Sequence, residues 1–229
     1  MILAAGRGER MGELTLKTPK PLTKLGNTTL LEHNLGRIQS AKIEEVIVNV
    51  SWLGEKIIRY LNSLELEVDI KILDEGKNML GTGGGVKNAL HYLGNEPFYL
   101  MNADVFSDYK IDTTKRLKVN TLGHLIMVPN PAHHPEGDFN ISEGLLMDCE
   151  GKCSHTFSGI SLLSPTLLNS CRDDIFALEP VLLKAARRRL LTGEEYNGLW
   201  IDVGEPERLR AAEQIVKQKK SKISAIKKC

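Results

Sequence analysis

The sequence predicts an α/β protein in which a Rossmann-like, mainly parallel mixed sheet is flanked by helices. Two patterns carry this prediction. Along the first half of the chain, short apolar runs rich in β-branched residues alternate with stretches of helical periodicity, as they do in strand–helix–strand units. The strand-like runs are also almost continuously apolar, which is typical of strands buried on both faces of a sheet. We therefore expect helices on both faces.

The predicted elements follow in order along the chain. The strands of the first half are MILAA (1–5), EEVIVNV (44–50), EVDIKIL (67–73) and FYLMNADV (98–105), and the helices are LLEHNLGRIQSA (30–41), GEKIIRYLNSL (54–64) and GGVKNALHYL (84–93). The rhythm then changes to a strand in HLIMVPN (124–130), a small β-hairpin in DFNISEGLLMD (138–148) and a strand in HTFSGISLLS (155–164). Helices are predicted in PTLLNSC (165–171) and EPVLLKAARRRLL (179–191), each with proline at a position that an early helical turn tolerates. A last strand, GLWIDVG (198–204), leads into the helix PERLRAAEQIVKQKK (206–220).

The composition indicates one compact domain without a strong overall charge. With 229 residues, 41% of them hydrophobic, the chain can bury a substantial core. Thirty basic and 29 acidic residues give a net charge of +1, so neither nucleic acid nor a membrane is expected as a partner. No apolar run approaches the ~20 residues of a membrane span, and we expect a cytoplasmic protein that is a monomer or a weak homodimer. The lysine-rich tail is interpreted as a solvated helix end.

The four cysteines are expected to be free thiols. Cys149, Cys153, Cys171 and Cys229 lack the paired C-x-x-C spacing of a zinc site, and a chain of this size needs no disulfides for stability. A zinc site made by Cys149, Cys153 and His155 is the weaker alternative.

The first strand runs into AAGRGER, a candidate phosphate-binding loop. Gly6 and Gly8 let the backbone approach a ligand, and successive amides in such a turn can bind an anion, especially where a helix begins. A dinucleotide fingerprint would need a third glycine at position 11, where Met11 stands, and no Gly-Lys-Ser/Thr follows to make a P-loop. An ordinary strand-to-helix turn is the alternative.

Two cations accompany this loop. Arg10 can grip phosphate oxygens through two parallel hydrogen bonds, and Lys20 acts as a compact point charge. Pro19 and Pro21 stiffen the backbone on either side of Lys20 and disfavour helix there. We expect both cations to contact phosphates, although a surface lysine is usually only solvated.

A second glycine-rich segment, GTGGG (81–85), directly precedes a predicted helix. Amides exposed there could read the edge of a nucleotide base, and a flexible turn is the alternative. The segment NPAHHPEGDF (130–139) is expected to be a rigid polar loop that touches a substrate or packs on the sheet.

Asp104 and Asp202 each stand in or at the end of an apolar, strand-like run. A buried, unpaired carboxylate is costly, so each is expected to meet a cation, hydrogen bonds or the open edge of the sheet. Ligands bind in such sheets beyond the carboxyl ends of the strands. Two carboxylates there match a Mg²⁺ ion, which keeps waters and takes substrate phosphates as further ligands. Two unrelated capping aspartates are the alternative.

In their order and spacing, LAAGRGERM, TPKPL, GTGG, NAD and WIDVG resemble the motifs of the sugar-phosphate nucleotidyltransferases, over nearly the whole chain. The resemblance implies a fold of the nucleotide-diphospho-sugar transferase type, with a nucleotide-binding half (1–105), a sugar-phosphate-binding half (106–205), and a C-terminal helix and basic tail (206–229). It implies catalytic roles for Arg10, Lys20, Asp104 and Asp202, with Mg²⁺ held by the two aspartates. The implied nucleotide contacts are Ala4, Ala5, Gly6, Gly8, Arg10, Lys20, Glu75, Thr82, Gly83, Gly84 and Asn102. The implied sugar-phosphate contacts are Asn130, Asp138, Gly159 and Glu179.

The segments NPAHHPEGDF, TFSGISLLSP and LWIDVGEPERL are most similar to bacterial members of the family that recycle cell-wall (peptidoglycan) sugar. This similarity implies UTP and N-acetylmuramate α-1-phosphate as substrates, with UDP-N-acetylmuramate and pyrophosphate as products. A sugar 1-phosphate is already an anionic nucleophile near neutral pH, so no protein nucleophile is needed. One alternative is another member of the family, such as a mannose-1-phosphate guanylyltransferase or a glucose-1-phosphate thymidylyl- or uridylyltransferase. The other is a non-catalytic nucleotide-sugar sensor, which would not need Lys20 and both aspartates.

Overall fold

The structure is a computed structural model that describes the backbone of residues 1–226 and the side chains of residues 1–218. The strands are β1 (Ile2–Leu3), β2 (Lys24–Leu25), β3 (Thr28–Thr29), β4 (Glu45–Val50), β5 (Asp69–Asp74), β6 (Phe98–Asn102), β7 (Val105–Ser107), β8 (Gly123–Pro129), β9 (Asn140–Ser142), β10 (Leu145–Met147), β11 (His155–Leu163), β12 (Leu191–Glu195) and β13 (Trp200–Asp202). The α-helices are α1 (Leu14–Lys17), α2 (Leu30–Ser40), α3 (Gly54–Leu61), α4 (Gly81–Leu93), α5 (Glu179–Arg187) and α6 (Pro206–Ile226). Short 3-10 turns cover Glu9–Met11, Lys20–Leu22 and Pro165–Leu168.

Within these residues, nine strands form one sheet in the order β5-β4-β1-β6-β11-β8-β12-β10-β9. The first four run parallel, with Ile2 of β1 opposite Val48 of β4 and Met101 of β6. β11 runs antiparallel to both β6 and β8, while β12 runs parallel to β8. The predicted mixed sheet is confirmed. β4 and β5 lie on one side of β1, and β6 lies on the other, so the order in which the chain adds strands reverses at β1. Open α/β sheets bind ligands at such a switch point.

Both faces of the parallel part are buried under helices. Val46 and Val48 of β4 belong to an apolar cluster with side chains of α2 and α3, whereas Ile47 belongs to a cluster with side chains of α4 and α5. Each of these three residues is at most 3% exposed. Successive side chains of a strand point to opposite faces, and here neither face meets water. This burial explains why the strand is almost continuously apolar in sequence.

The region between residues 165 and 195 departs from the prediction in two places. The helix predicted over 179–191 ends at Arg187, and the strand β12 follows. The chain leaves the helix through Arg189, whose φ is +57°, and the Leu190 N–H donates to the Ala185 carbonyl at 3.0 Å. β12 has the sequence LTGEE, and glycine and glutamate are depleted in strands, so the sequence predicts no strand there. The helix predicted over 165–171 is a single 3-10 turn.

The predicted last strand does not join the main sheet. β13 pairs with β7 in a separate two-stranded sheet, where Asp202 lies opposite Val105. The Val203 N–H donates to the Asp104 carbonyl at 3.0 Å. This small sheet therefore brings together two aspartates that are distant in sequence.

The cysteine prediction is wrong for two of the four residues. Cys149 and Cys153 form a disulfide in the loop between β10 and β11, with Cα atoms 5.8 Å apart. That separation lies within the range that a disulfide spans, because the loop turns back on itself. The pairing also leaves neither sulfur available for zinc. Cys171 is free, and Cys229 lies outside the described residues.

The C-terminal helix α6 extends to Ile226, beyond the predicted end. The lysine-rich tail stays a prediction, because the side chains that form most of it lie outside the described residues; they are Lys219, Lys220, Lys222, Lys227 and Lys228. Among the described helices, none has the length and apolar character needed to cross a bilayer.

Candidate active site

Three adjoining cavities open at the carboxyl ends of β1 and β6. The loop cavity, about 540 Å³, is lined by residues 6–10 and the start of α4. The central cavity, about 230 Å³, is lined by Asp104 and Asp202 among others. The hairpin cavity, about 470 Å³, is lined by Gly159 and the start of α5. Asn102 lines all three, so the cavities form one groove along the switch point of the sheet.

The loop cavity contains most of the predicted nucleotide contacts. It is lined by Ala4, Ala5, Gly6, Gly8, Arg10, Lys20, Glu75, Thr82 and Asn102, whereas Gly83 and Gly84 do not line it. Arg10 and Asn102 also line the central cavity. The structure thus brings together residues from the two ends of the predicted nucleotide-binding half.

Gly8 is required by the shape of the opening loop. Its φ of +66° favours glycine, and a Cβ added there would lie 3.0 Å from the Lys20 Cβ. Met11 is 1% exposed and anchors the loop in the core, which explains why an apolar residue stands where a dinucleotide fingerprint would have glycine. The loop leads into a 3-10 turn and the four-residue α1, so no long helix begins at it. Any phosphate contact there would come from loop amides and side chains.

Lys20 and Asp104 form a close ion pair on the wall of the loop cavity. The Lys20 Nζ lies 2.5 Å from the Asp104 Oδ2, and the two side chains are 9% and 29% exposed. The 3-10 turn Lys20–Leu22, which follows Pro19 and contains Pro21, fixes the approach of the lysine. A nearly buried ammonium needs a counter-charge, and Asp104 supplies it. The predicted cation and the predicted metal-binding carboxylate are therefore neighbours.

Asp202 is held by Arg208 of α6. The Arg208 Nε donates to the Asp202 carbonyl at 2.7 Å, and an Nη nitrogen lies 3.4 Å from the Asp202 Oδ2. A Cβ added at Gly204 would overlap the Arg208 guanidinium, so the glycine makes room for this contact. His133 also lies near this carboxylate, with its Nε2 3.7 Å from the same Oδ2. Burial and the nearby Arg208 charge lower the pKa of His133.

The donor set at the central cavity fits a Mg²⁺ ion. Asp104 and Asp202 both line this cavity and remain partly exposed. The described residues contain no cluster of three or more His, Cys, Asp or Glu side chains arranged for a metal. A full protein cage is not what Mg²⁺ needs, since it usually keeps waters and binds one or two carboxylates together with substrate phosphates. Two carboxylates beside a loop suited to phosphates meet that requirement.

Glu75 lines the loop cavity, but both of its carboxylate oxygens accept hydrogen bonds from the protein. The Asn49 Nδ2 donates to Oε1 at 2.6 Å, and the Leu80 N–H donates to Oε2 at 3.0 Å. Asn49 in turn accepts the Ala4 N–H at 3.0 Å. This chain of bonds ties β1 to the segment before α4. In the sequence, the one signal of this role is that the polar Asn49 stands inside the apolar part of the strand EEVIVNV.

The GTGGG segment does not expose its amides as expected. It forms the first turn of α4, and the N–H groups of Gly83 and Gly84 donate to the Phe176 carbonyl at 3.0 and 3.2 Å. A Cβ added at Gly84 would overlap the Asp174 carbonyl oxygen, and one added at Gly83 would overlap the Phe176 ring. These glycines therefore let α4 pack against residues 174–177, while a contact between Gly83 or Gly84 and a base stays a prediction.

Three of the four predicted sugar-phosphate contacts line the hairpin cavity: Asp138, Gly159 and Glu179. Asp138 accepts from the His134 Nε2 at 2.9 Å and from the Phe157 N–H at 2.7 Å. The Glu179 side chain is exposed at the start of α5. Gly159 has a φ of +78°, and a Cβ there would lie 2.7 Å from the Asn102 Nδ2. The hairpin cavity thus carries carboxylates that suit sugar hydroxyls.

Asn130 does not line any of the three cavities. Its Nδ2 donates to the Cys153 carbonyl at 2.8 Å, and its Oδ1 accepts from the Thr156 hydroxyl at 3.0 Å. Asn130 therefore pins the loop that carries His133 and His134 to β11. Sequence reasoning also missed Arg208, although it stands in the WIDVGEPERL segment.

The fold and the site together define a nucleotidyltransferase. Residues 1–192 match the family model of the MobA-like NTP transferase domain, so the chain belongs to this family. The resemblance to the sugar-phosphate nucleotidyltransferases is confirmed, and the protein is an enzyme of that class.

Two curated relatives carry the same name. The chain is 35% identical to the N-acetylmuramate alpha-1-phosphate uridylyltransferase of Neisseria meningitidis serogroup B, over 94% of this chain and 96% of the relative. It is 29% identical to the enzyme of that name from Caulobacter vibrioides, over 93% and 94%. A crystal structure of a Bacillus anthracis protein in complex with sucrose superposes with a TM-score of 0.80 at 18% identity, over 93% of both chains. That last similarity supports the fold.

Proposed function

We propose that the protein joins UTP to N-acetylmuramate α-1-phosphate, giving UDP-N-acetylmuramate and pyrophosphate. The observation that carries this proposal is the groove of three cavities, with two carboxylates in its central cavity and the Lys20 ammonium in the adjoining loop cavity. The relative from Neisseria meningitidis, which aligns over almost the full length of both chains, supports the choice of substrates. The product belongs to the recycling of cell-wall sugar.

In this proposal UTP lies in the loop cavity. A volume of about 540 Å³ is within the range of nucleotide-sized sites. The Gly6 backbone has open space beside it, and Arg10 is exposed at the edge of the loop, so both can approach phosphate oxygens. The uridine would extend toward Glu75 and Thr82, which line the far wall. Glu75 would shape that wall through its bonds to Asn49 and Leu80.

The sugar 1-phosphate lies in the hairpin cavity with its phosphate toward the central cavity. A phosphate oxygen of the sugar 1-phosphate attacks the α-phosphorus of UTP and forms a new P–O bond. The bond between the α-phosphorus and the bridging oxygen to the β-phosphorus breaks, and pyrophosphate leaves with that electron pair. No protein group has to remove a proton, because the attacking phosphate is already anionic. The site's task is alignment and charge compensation.

The positive charge needed at that step has two sources in this chain. Lys20 lines the loop cavity beside Asp104, which lines both the loop and the central cavity, and its ammonium can move from Asp104 to a phosphate oxygen. Arg10 lines both cavities and can bind phosphate through two parallel bonds. Asp104 and Asp202 would hold Mg²⁺, which when bound supplies further positive charge to the phosphate oxygens.

A substrate panel tests this function. Purified protein with Mg²⁺ is incubated with each of UTP, GTP and dTTP, paired with N-acetylmuramate, N-acetylglucosamine, glucose and mannose 1-phosphates, and pyrophosphate release is measured. We expect the highest kcat/KM for UTP with N-acetylmuramate α-1-phosphate. A preference for GTP with mannose 1-phosphate, or for dTTP with glucose 1-phosphate, would assign another reaction of the family. Tight binding of the nucleotide sugar without any pyrophosphate release would favour the sensor.

A further inference from the structure

The central cavity holds a histidine for which the reaction described above has not assigned a role. His133 lines this cavity together with Arg10, Asn102 and the two aspartates. Its Nε2 lies 3.7 Å from the Asp202 Oδ2, which is too long for a hydrogen bond. Within the part of the chain whose side chains are described, the ring makes no hydrogen bond. It is therefore a free donor or acceptor beside the carboxylates.

The next residue, His134, is engaged differently. Its Nε2 lies 2.9 Å from the Asp138 Oδ1, so this ring fastens its own loop. Gly137 in the same loop has a φ of +65°, and the Asn130 side chain binds the Pro135 and Cys153 carbonyls. The backbone that carries His133 is therefore fixed from several sides. A side chain on a fixed loop can bind a ligand with little ordering cost.

The position of the central cavity indicates what would meet this ring. The cavity shares Asn102 and Asp104 with the loop cavity, and it shares His134 and Gly159 with the hairpin cavity. A phosphate attached to a sugar in the hairpin cavity has to enter this space to reach a nucleotide in the loop cavity. There the phosphate would lie close to the carboxylates of Asp104 and Asp202, which repel it. Hydrogen-bond donors near the hairpin cavity would offset this repulsion.

The cations of this region have other assignments. Lys20 lines the loop cavity beside its partner Asp104, and Arg208 is bound to Asp202 and Glu205. Arg10 lines both the loop cavity and the central cavity, and in the proposed function it binds the nucleotide phosphates. His133 belongs to the segment that also borders the hairpin cavity, and its ring can donate from one nitrogen when neutral and from both when charged.

We propose that His133 donates a hydrogen bond to the phosphate carried by the sugar substrate, which becomes the sugar-linked phosphate of the nucleotide-sugar product. This proposal rests on the proposed function and adds a substrate-binding residue to it. The partner of His133 is the phosphate, rather than the sugar ring or the base. The step of transfer is unchanged, since the histidine neither gains nor loses a proton in it.

Steady-state kinetics test the assignment with three variants. In His133→Leu the KM for the sugar 1-phosphate should rise about 10- to 100-fold, as expected for a lost hydrogen bond to a charged group, while the KM for UTP stays within about twofold. His133→Gln should recover part of the loss, because its amide nitrogen can reach the position of Nε2. His155→Gln is the matched control, since that ring binds Ser154 outside the three cavities and should leave both KM values unchanged. Equal rises in both KM values for His133→Leu, or none, would overturn the proposal.

Equilibrium binding separates this proposal from the proposed function. UMP carries only the phosphate derived from UTP, whereas UDP-N-acetylmuramate also carries the sugar-linked phosphate. In calorimetry, His133→Leu should weaken the affinity for UDP-N-acetylmuramate about 10- to 100-fold and leave the affinity for UMP unchanged. A uniform loss for both ligands, or no loss, contradicts a phosphate contact. If wild-type protein binds UDP-N-acetylmuramate but releases no pyrophosphate in the panel, the enzymatic proposal fails while the selective effect of His133→Leu still supports the phosphate contact.

Discussion

The Lys20 Nζ lies 2.5 Å from the Asp104 Oδ2, so the two groups neutralise each other in the structure. The lysine is 7% exposed as a residue, which means that its ammonium has little water to solvate it. A phosphate that enters the loop cavity would compete for this ammonium, and a cation would compete for the carboxylate. The ion pair therefore keeps the ammonium and the carboxylate beside the proposed meeting point of the substrates, where each can exchange its partner for a ligand.

We predict that Lys20 and Asp104 act as one unit in catalysis. Lys20→Met should lower kcat about 10²- to 10³-fold, the usual effect of removing one group that stabilises developing charge. Asp104→Asn should lower kcat by a similar factor. The kcat of the double variant should be about that of the less active single variant, because the effects of coupled groups are not additive. Rates of pyrophosphate release are measured for the wild-type protein, the two single variants and the double variant, which together form a double-mutant cycle. Losses that simply multiply would show that the ion pair has no functional coupling.

Asp202 should determine the Mg²⁺ requirement. Asp202→Asn removes one of the two carboxylates that line the central cavity, so the Mg²⁺ concentration for half-maximal rate should rise about 10-fold or more. Glu205→Gln is the control, because Glu205 contacts Arg208 at 3.2 Å but does not line the cavity. Chelation should stop the wild-type reaction, and added Mg²⁺ should restore it. An unchanged Mg²⁺ dependence in Asp202→Asn would exclude this aspartate as a ligand.

Gly84 should be required for the packing of α4. Gly84→Ala places a Cβ against the Asp174 carbonyl and should lower the free energy of unfolding by about 1–3 kcal/mol. Gly36→Ala is the matched control in α2, where an added Cβ meets nothing within 4 Å, so it should be neutral or stabilising by up to about 1 kcal/mol. Urea denaturation of both variants measures these values. Equal stabilities of the two variants would contradict the close packing of α4.

The stability of the fold should depend on pH through His124. Burial, followed by the Lys115 charge, lowers the pKa of His124 below its usual value of 6.5, and its Nδ1 lies 2.8 Å from the Thr192 hydroxyl. Below pH 6.5 the unfolded chain then binds more protons at this residue than the folded chain. The free energy of unfolding should therefore fall as the pH drops below 6.5. In His124→Gln this part of the slope should disappear, as measured by urea denaturation at several pH values; an identical slope would show that another group is responsible.

The parts of the fold that depend on local pattern could be predicted from the sequence. The strand EEVIVNV is apolar at successive positions because both faces of β4 are buried, and the burial is visible in the sequence itself. Lys20 could be found because prolines surround it. The small sheet formed by β7 and β13 could not be predicted, since its pairing depends on segments far apart in the chain.

The wrong predictions share the same physical reason. The sequence predicts that the GTGGG segment precedes a helix, but it forms the first turn of α4, because Gly83 and Gly84 let that turn pack against Phe176 and Asp174, which are distant in sequence. Cys149 and Cys153 pair because the loop after the hairpin turns back, which their spacing alone did not indicate. β12 takes its stability from pairing with β8 rather than from its own residues. In each case a tertiary contact overrides the local preference.

The central claim is that UTP and the sugar 1-phosphate react directly with each other across this groove. Rapid-quench measurement of pyrophosphate and UDP-N-acetylmuramate tests it most directly, using wild-type protein with Mg²⁺ and each substrate alone or both together. We predict that the two products form in equal amounts and at the same rate, and only when both substrates are present. Pyrophosphate released stoichiometrically from UTP alone would reveal a covalent intermediate on the protein and would contradict the account.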